Sequence, residues 1–351
     1  MKQRSSMSIW IIVLLCLFLS GCTSKPKVEE KDTRDLIHLE KYMVGEVVKN
    51  KTKIYNLKNG IGSYLGECDN LIDLKYNESE GIYAKLIYLE TGNNLNKNKI
   101  LIENKEDRFE INDFFSAFDM KISLKGSKLA YRYYKSDDLS SINDLSIFDI
   151  KDKKKMTLEG NTIISGNLYE FLDEDTLIYY GINPESKERG IFKYSFLTEK
   201  EELLYKVDKG NITGFNIVNN KELFIINTSN ESSVLGKIDL KDLTYEKIGG
   251  NIESLYSTID AGENIYYFLI RESNKKTSIY KYDGKNIKKV IYNFPKNISE
   301  EYPLVKDKEN NVYFIGYDND KDKRDIYNIK MDGSVNIISS KEAQYRVFRE
   351  K

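Results

Sequence analysis

The sequence predicts an all-β protein, a β-propeller of seven four-stranded blades over residues 41–351, with six blades as the alternative. Three observations lead there. From residue 40 onward, short apolar runs rich in Tyr, Ile and Val alternate with Asn, Asp, Gly, Lys and Ser clusters, and prolines stand only at 184, 295 and 303, a strand-and-turn pattern. One strand motif recurs seven times about every 45 residues, and a second recurs six times in step with it. Such a period, with about four short strands per unit, belongs to sheets stacked radially in a closed ring, each covering its neighbours' faces.

The first motif places two apolar residues at i and i+2. It runs through IYNLKNG (Tyr55, Leu57), KILIEN (Ile100, Ile102), IFDIKD (Phe148, Ile150), IFKYSF (Phe192, Tyr194), KIDLKD (Ile238, Leu240), IYKYDG (Tyr280, Tyr282) and IYNIKMDG (Tyr327, Ile329), at spacings of 45, 48, 44, 46, 42 and 47. The second begins at Ile82, Leu129, Leu177, Leu223, Ile265 and Val312, and in the last four units it precedes the first by 15 residues. A constant offset inside a variable repeat is what a hairpin with a nearly fixed connection produces. A third apolar run, as in NLIDLKY, GNLYEFL and ESLYSTI, precedes both. The ends complement each other: residues 41–66 form a unit without that leading strand, and KEAQYRVFREK supplies one with nothing after it. Tyr345, Val347 and Phe348 are therefore expected on the innermost strand of the blade begun by residues 41–66, closing the ring. Tyrosine is enriched at 26 copies, and doublets such as Tyr133-Tyr134, Tyr179-Tyr180 and Tyr266-Tyr267 fit strands buried on both faces.

The N-terminus reads as an export signal. Lys2 and Arg4 precede an apolar run of 11 residues, Ile9–Leu19, which suits a signal peptide and is short for a membrane span. The following Leu19-Ser20-Gly21-Cys22 resembles the lipobox of bacterial lipoproteins. That resemblance implies a signal peptide over residues 1–21, a diacylglyceryl group on Cys22, and a mature protein anchored by lipid to the extracytoplasmic face of the cell membrane. Loss of Lys2 and Arg4 takes the net charge from −1 to −3, and loss of Trp10 and Cys16 leaves Cys68 as the one thiol besides Cys22. With no internal disulfide available, packing must supply the stability. Residues 22–40, polar and carrying Pro26, read as the lipidated cysteine and a flexible tether.

The inventory excludes several chemistries. A single histidine, His38, at the end of the tether, rules out multi-His zinc sites and argues against a Ser-His-Asp triad. A net charge of −1 argues against a nucleic-acid partner. Gly60-Ile61-Gly62-Ser63-Tyr64-Leu65-Gly66 is one residue off a dinucleotide fingerprint and lies between two strands, so it reads as a hairpin turn. Asp318-Asn319-Asp320-Lys321-Asp322 alternates oxygens as Ca²⁺ loops do, but Lys323 stands at the glycine place and Ile329 at the glutamate place. It reads as a solvated hairpin tip, with Asp318, Asp320 and Asp322 the one Ca²⁺ candidate and no other cofactor expected. Cys68, flanked by acids, has no neighbour to activate it and reads as a packed small residue.

Units such as IYKYDGK and IYNIKMDGS, following a strand like NIYYFLI, resemble TolB-type propellers, the N-terminal propellers of prolyl-oligopeptidase relatives, and clostridial lipoproteins of unknown function. The resemblance covers about residues 41–351 and implies a propeller. It departs from the family pattern in three ways. The S-P-D-G turn of TolB repeats is replaced by LKGSK, DEDT, NNKE, AGEN and KENN; TolB's N-terminal α/β domain has no room; and no G-x-S-x-G is present to carry peptidase chemistry. The mature chain's lack of Trp excludes WD repeats.

Propeller topology puts the connections between second and third strands on one rim, and here they are long and polar: YKSDDLSSIND, INPESKERG, NTSNESSV, RESNKKTS and YDNDKDKRD. Rims and funnels are where propellers bind. The candidate contacts are Asp137, Asp138, Glu185, Arg189, Arg271, Glu272, Asp318 and Asp320. The reading that follows is a monomeric, non-enzymatic lipoprotein binding an envelope protein or glycan. The alternatives are a carbohydrate-active enzyme using two funnel carboxylates, which needs no histidine, and an accessory subunit of a membrane transporter or sensor.

Overall fold

Residues 40–57, 60–105, 107–230 and 232–351 are described by the structure, a computed structural model. They form seven antiparallel sheets in a seven-bladed propeller, and the one helical segment among them is a single 3₁₀ turn at Leu139–Ser141. In blades 2 to 6 the chain runs from the axis outward. The inner strands are Leu71–Asn77, Ser116–Ile122, Ile163–Phe171, Asn211–Val218 and Ile252–Asp260. In blade 7 the inner strand is broken into Asn297–Ile298 and Val305–Lys306, both paired with Val312–Tyr317, and Pro303, which has no N–H to give a ladder, lies in the break. Inner strands of neighbouring blades touch around the axis, and the Leu304 N–H donates to Ser257 Oγ at 3.0 Å to join blades 6 and 7.

The second strands explain the repeat. Tyr266–Glu272 of blade 6 is buried from Tyr266 through Ile270. Because successive side chains point to opposite faces, Tyr266, Phe268 and Ile270 pack toward blade 5 while Tyr267 and Leu269 pack toward blade 7. Tyr179 and Tyr180 divide in the same way between the blade 3 and blade 5 interfaces. Of the third doublet, Tyr133 is buried against blade 2 and Tyr134 stacks on Phe118 at 5.2 Å. Doublets thus mark sheets with apolar neighbours on both sides, as expected.

The ring closes as the termini predict. Gln344–Arg349 is the inner strand of blade 1 and pairs with Tyr42–Val48 over six residue pairs, from Tyr42 opposite Arg349 to Val47 opposite Gln344. Alternation again divides the strand: Tyr345 and Val347 pack on blade 7, and Phe348 packs on blade 2 beside Leu71, Leu74 and Tyr76. Gly45 is required at this crossing, since a Cβ there would lie 2.9 Å from the Phe348 ring and 2.7 Å from the Thr52 methyl.

One local expectation changes. Gly60 does sit at a bend, but Ile61–Asp69 is the outer strand of blade 1, so most of the glycine-rich stretch is bulged strand rather than turn. Cys68 lies in that strand, half-buried, and burial pushes its thiol pKa up, away from reactivity.

Candidate functional site

The antiparallel order within each blade carries every connection between second and third strands to one rim, together with the connections that lead into the next inner strand. All eight candidate contacts lie at this rim, and most are engaged in holding it. Asp137 accepts the N–H groups of Asn93, Asn94 and Leu95, the last at 2.8 Å, and so ties the blade 2 loop to blade 3. Desolvation opposes ionisation of Asp137, but the three N–H groups outweigh it and hold the carboxyl below its usual range. Asp138 caps the 3₁₀ turn, accepting both the N–H and the hydroxyl of Ser140 at 2.8 Å. Glu185 accepts from Asn161 at 3.2 Å, and Arg189 reaches from blade 4 to Asn211 of blade 5 at 3.0 Å. Glu272 is 2.6 Å from Lys289 and 3.0 Å from the Tyr280 hydroxyl. Desolvation would raise its pKa, but Lys289 and neighbouring hydroxyls bring it down to about 2.

Arg271 leads to a cavity. Its guanidinium pairs with Glu300 and lies 5.5 Å over the Tyr256 ring. Beside it, between blades 6 and 7, a cleft of about 350 Å³ opens on the rim. Its basic side chains are Lys275, Lys276, Lys296, Lys321 and Arg324, and its acids are Glu300 and Glu301. Arg324 is only 8 % exposed, 3.0 Å from Glu301, with its guanidinium 5.2 Å over Tyr302. Desolvation acts against the Glu300 carboxylate, but Thr277, Tyr256 and Arg271 together hold its pKa below the usual range. Asp318 and Asp320 flank this cleft on the blade 7 loop. Asp318 accepts the Lys296 N–H at 3.2 Å and Asp320 the Asp322 N–H at 2.9 Å. Among the described residues no group of three or more His, Cys, Asp or Glu converges to hold a metal ion.

The opposite mouth of the central channel is braced by Arg349, the last residue of the inner blade 1 strand, and by Lys351 beyond it. The Arg349 guanidinium donates to the Thr258 carbonyl of blade 6 at 2.9 Å. Lys351 lies across the mouth, 2.6 Å from Glu170 of blade 4 and 2.9 Å from the Phe171 carbonyl. Lys121 of blade 3 takes the other Glu170 oxygen at 3.1 Å. Desolvation would raise the Glu170 pKa, but the two ammonium groups reverse that and hold it at about 2. About 510 Å³ of open funnel remains around these groups.

Sequence reasoning located the rim and the RESNKKTS and YDNDKDKRD loops, but it chose their arginine and acids rather than Lys275, Lys276, Lys321 and Arg324. It also missed Glu170, Lys121 and Lys351, which carry no local motif. Cys22 and the tether up to residue 39 lie outside the described residues.

No protein-family model and no curated protein matches the chain. Solved structures do. The β-propeller domain of the Trilobed protease from Pyrococcus furiosus is similar at a TM-score of 0.52 and 17% identity, over 77% of this chain and 83% of that one. That domain is described as having an open velcro topology, whereas here Gln344–Arg349 pairs with Tyr42–Val48. An uncharacterized protein, lmo1340 from Listeria monocytogenes EGD-e, is similar at 0.53 and 10% identity, over 87% and 93%. TolB from Acinetobacter baumannii is matched at a TM-score of 0.46 and 11% identity, over 88% of this chain and 83% of that one. At these identities the likeness is one of fold: a propeller of the kind found in peptidase propeller domains.

Proposed function

We propose that this protein is a lipid-anchored, extracytoplasmic propeller that works by binding rather than catalysis, docking an envelope protein or glycan through the rim that carries the connections between second and third strands. The observation that supports it most is the cleft between blades 6 and 7. It is walled by loops of two blades, lined by Glu300, Glu301 and Arg324 with Arg271 paired to Glu300 beside it, and open to solvent. The Leu19-Ser20-Gly21-Cys22 motif supplies the anchor in this reading, and residues 23–40 the reach. Glycoside hydrolysis through funnel carboxylates has less behind it. Such chemistry needs one carboxyl kept protonated, and Glu170 is held ionised by Lys121 and Lys351.

The test compares the full-length protein with two sets of variants, one at the rim (Lys276→Ala with Lys321→Ala) and one on the opposite face (Lys125→Ala with Lys308→Ala). With Cys22→Ala in every variant so that no lipid holds the protein, retention on isolated envelope fractions should fall for the rim set and stay unchanged for the other. Equal retention by both sets removes the rim from the proposal.

A further inference from the structure

Charge is unbalanced among the residues that line the blade 6–7 cleft: five are basic and two acidic. Both acids lining it are already committed, Glu300 to Arg271 and Glu301 to Arg324. Lys275 is neutralised from outside by Glu253 at 2.6 Å. Lys276, Lys296 and Lys321 form no ion pair among the described residues. Lys276 Nζ donates to the Tyr292 carbonyl at 2.9 Å, and Lys296 Nζ to Asn319 at 3.2 Å. Asp318, Asp320 and Asp322, on the loop that carries Lys321, are not among the lining residues and form no ion pair with these lysines; Asp318 and Asp320 each accept a backbone N–H and keep their charge. Three ammonium groups thus gather at one cleft on a chain whose net charge is −1.

The second element is aromatic. Tyr317 lines the cleft, and Tyr292 and Phe294, 63% and 52% exposed, lie on the segment that leads to Lys296 and Asn297 in its wall, with the Tyr292 carbonyl accepting from Lys276. The Phe294 ring makes an edge contact with Tyr327 at 5.5 Å. The remaining lining is hydroxyl and amide, from Thr277, Ser299 and Asn297. A volume of about 350 Å³ lies at the small end of ligand pockets. Cations for an anionic group, flat rings for the C–H face of a sugar, and short polar groups for its hydroxyls together define one chemistry.

We propose that this cleft binds an acidic saccharide, a sugar bearing a carboxylate or a phosphate, with the anionic group on Lys276, Lys296 and Lys321 and the sugar beside Tyr292, Tyr317 and Phe294. The proposal rests on the rim-binding reading and names the class of ligand for it. A nucleic acid offers phosphates and rings as well, but a net charge of −1 gives the chain no general attraction for a long polyanion.

Calorimetric titration of the full-length protein in detergent tests it with five probes: a hyaluronan hexasaccharide, glucose 6-phosphate, maltohexaose, inorganic phosphate and a mixed-sequence oligodeoxynucleotide. Binding of at least one of the two acidic sugars is expected, at least tenfold tighter than maltohexaose or inorganic phosphate, and weakening at least fivefold between 50 and 500 mM salt, roughly as screening of exposed charges requires. The hexasaccharide and the sugar phosphate separate a carboxylate source from a phosphate source. Lys276→Ala with Lys321→Ala should weaken that binding about tenfold or more, roughly one unit of 1.4 kcal/mol in affinity, and Tyr292→Ala with Phe294→Ala should do so with the salt dependence retained. All four positions are solvent-exposed, so the variants should melt with the parent. Equal binding of maltohexaose, equal binding of inorganic phosphate, tighter binding of the oligonucleotide, or unchanged binding by the variants would each overturn the proposal. Loss of envelope retention in the rim variants, with no acidic sugar bound, would discard this inference alone and leave rim binding standing.

Discussion

Closing a seven-bladed ring through its two chain ends makes the whole propeller depend on nine C-terminal residues. Deleting residues 343–351 removes the inner strand of blade 1 and opens two interfaces at once. Tyr345, Val347 and Phe348 are 3%, 2% and 4% exposed. At about 1.5–3 kcal/mol for each fully buried apolar side chain, their loss forfeits roughly 5–9 kcal/mol, an upper figure because the unfolded chain already shields part of that surface. The deletion also strips the ladder to Tyr42–Val48 and the Phe348 carbonyl that accepts from the Tyr76 hydroxyl at 3.4 Å. Against a typical stability of about 5–15 kcal/mol, this is enough to unfold the domain or leave it marginal.

A point substitution isolates the effect without removing backbone. Phe348→Ala leaves a cavity among Met43, Ile54, Leu71, Leu74 and Tyr76 and should cost about 3–5 kcal/mol. In a domain of this size that lowers Tm by something on the order of 5–10 °C. Leu197→Ala, at a position 76% exposed, is the matched control and should change stability by less than about 0.5 kcal/mol. Differential scanning calorimetry should show one cooperative transition moving down in Phe348→Ala, and a lost or much lower transition in the deletion. If the deletion variant melted as the parent does, the closing strand would carry no stability and the reasoning would be wrong.

Three further outcomes are expected. Glu170 has a native pKa of about 2 against 4.5 when unperturbed, so its stabilisation is fully present above about pH 4.5 and is lost as pH falls toward 2. That is worth about 2–3 kcal/mol after allowing for burial of the Lys351 ammonium, whose pKa desolvation lowers; between pH 7 and 3, Tm of Glu170→Gln should therefore fall less than that of the parent, and parallel curves would exclude Glu170 as an acid-sensitive brace. Glu272, also held at about 2, loses its contribution over the same window, so Glu272→Gln should flatten the same profile in part. In a bacterial host, Cys22→Ala should abolish palmitate incorporation and release the protein from membranes, and a variant that still labels would refute the anchor.

What could be read from the sequence follows from what each feature demands of neighbouring residues. A blade strand covered on both faces must be apolar at successive positions, so Tyr179-Tyr180 and Tyr266-Tyr267 announce themselves in a few residues, and the 45-residue period multiplies the signal. Closure was legible because a missing strand at one end and a surplus strand at the other are visible without knowing any contact. The cleft makes no such local demand. Its lysines come from the blade 6 loop at 275–276, the approach to the blade 7 inner strand at 296 and the blade 7 loop at 321, and in sequence each is indistinguishable from a lysine that merely faces water. The same ambiguity runs the other way at Asp137, whose carboxylate looked free but is spent on N–H groups 42 to 44 residues earlier. A charged rim residue therefore becomes informative only when its counter-charge has been located. By that criterion the two acids that line the cleft, Glu300 and Glu301, are accounted for by Arg271 and Arg324, and Lys276, Lys296 and Lys321 are the lining charges without an ion pair, left for a partner to meet.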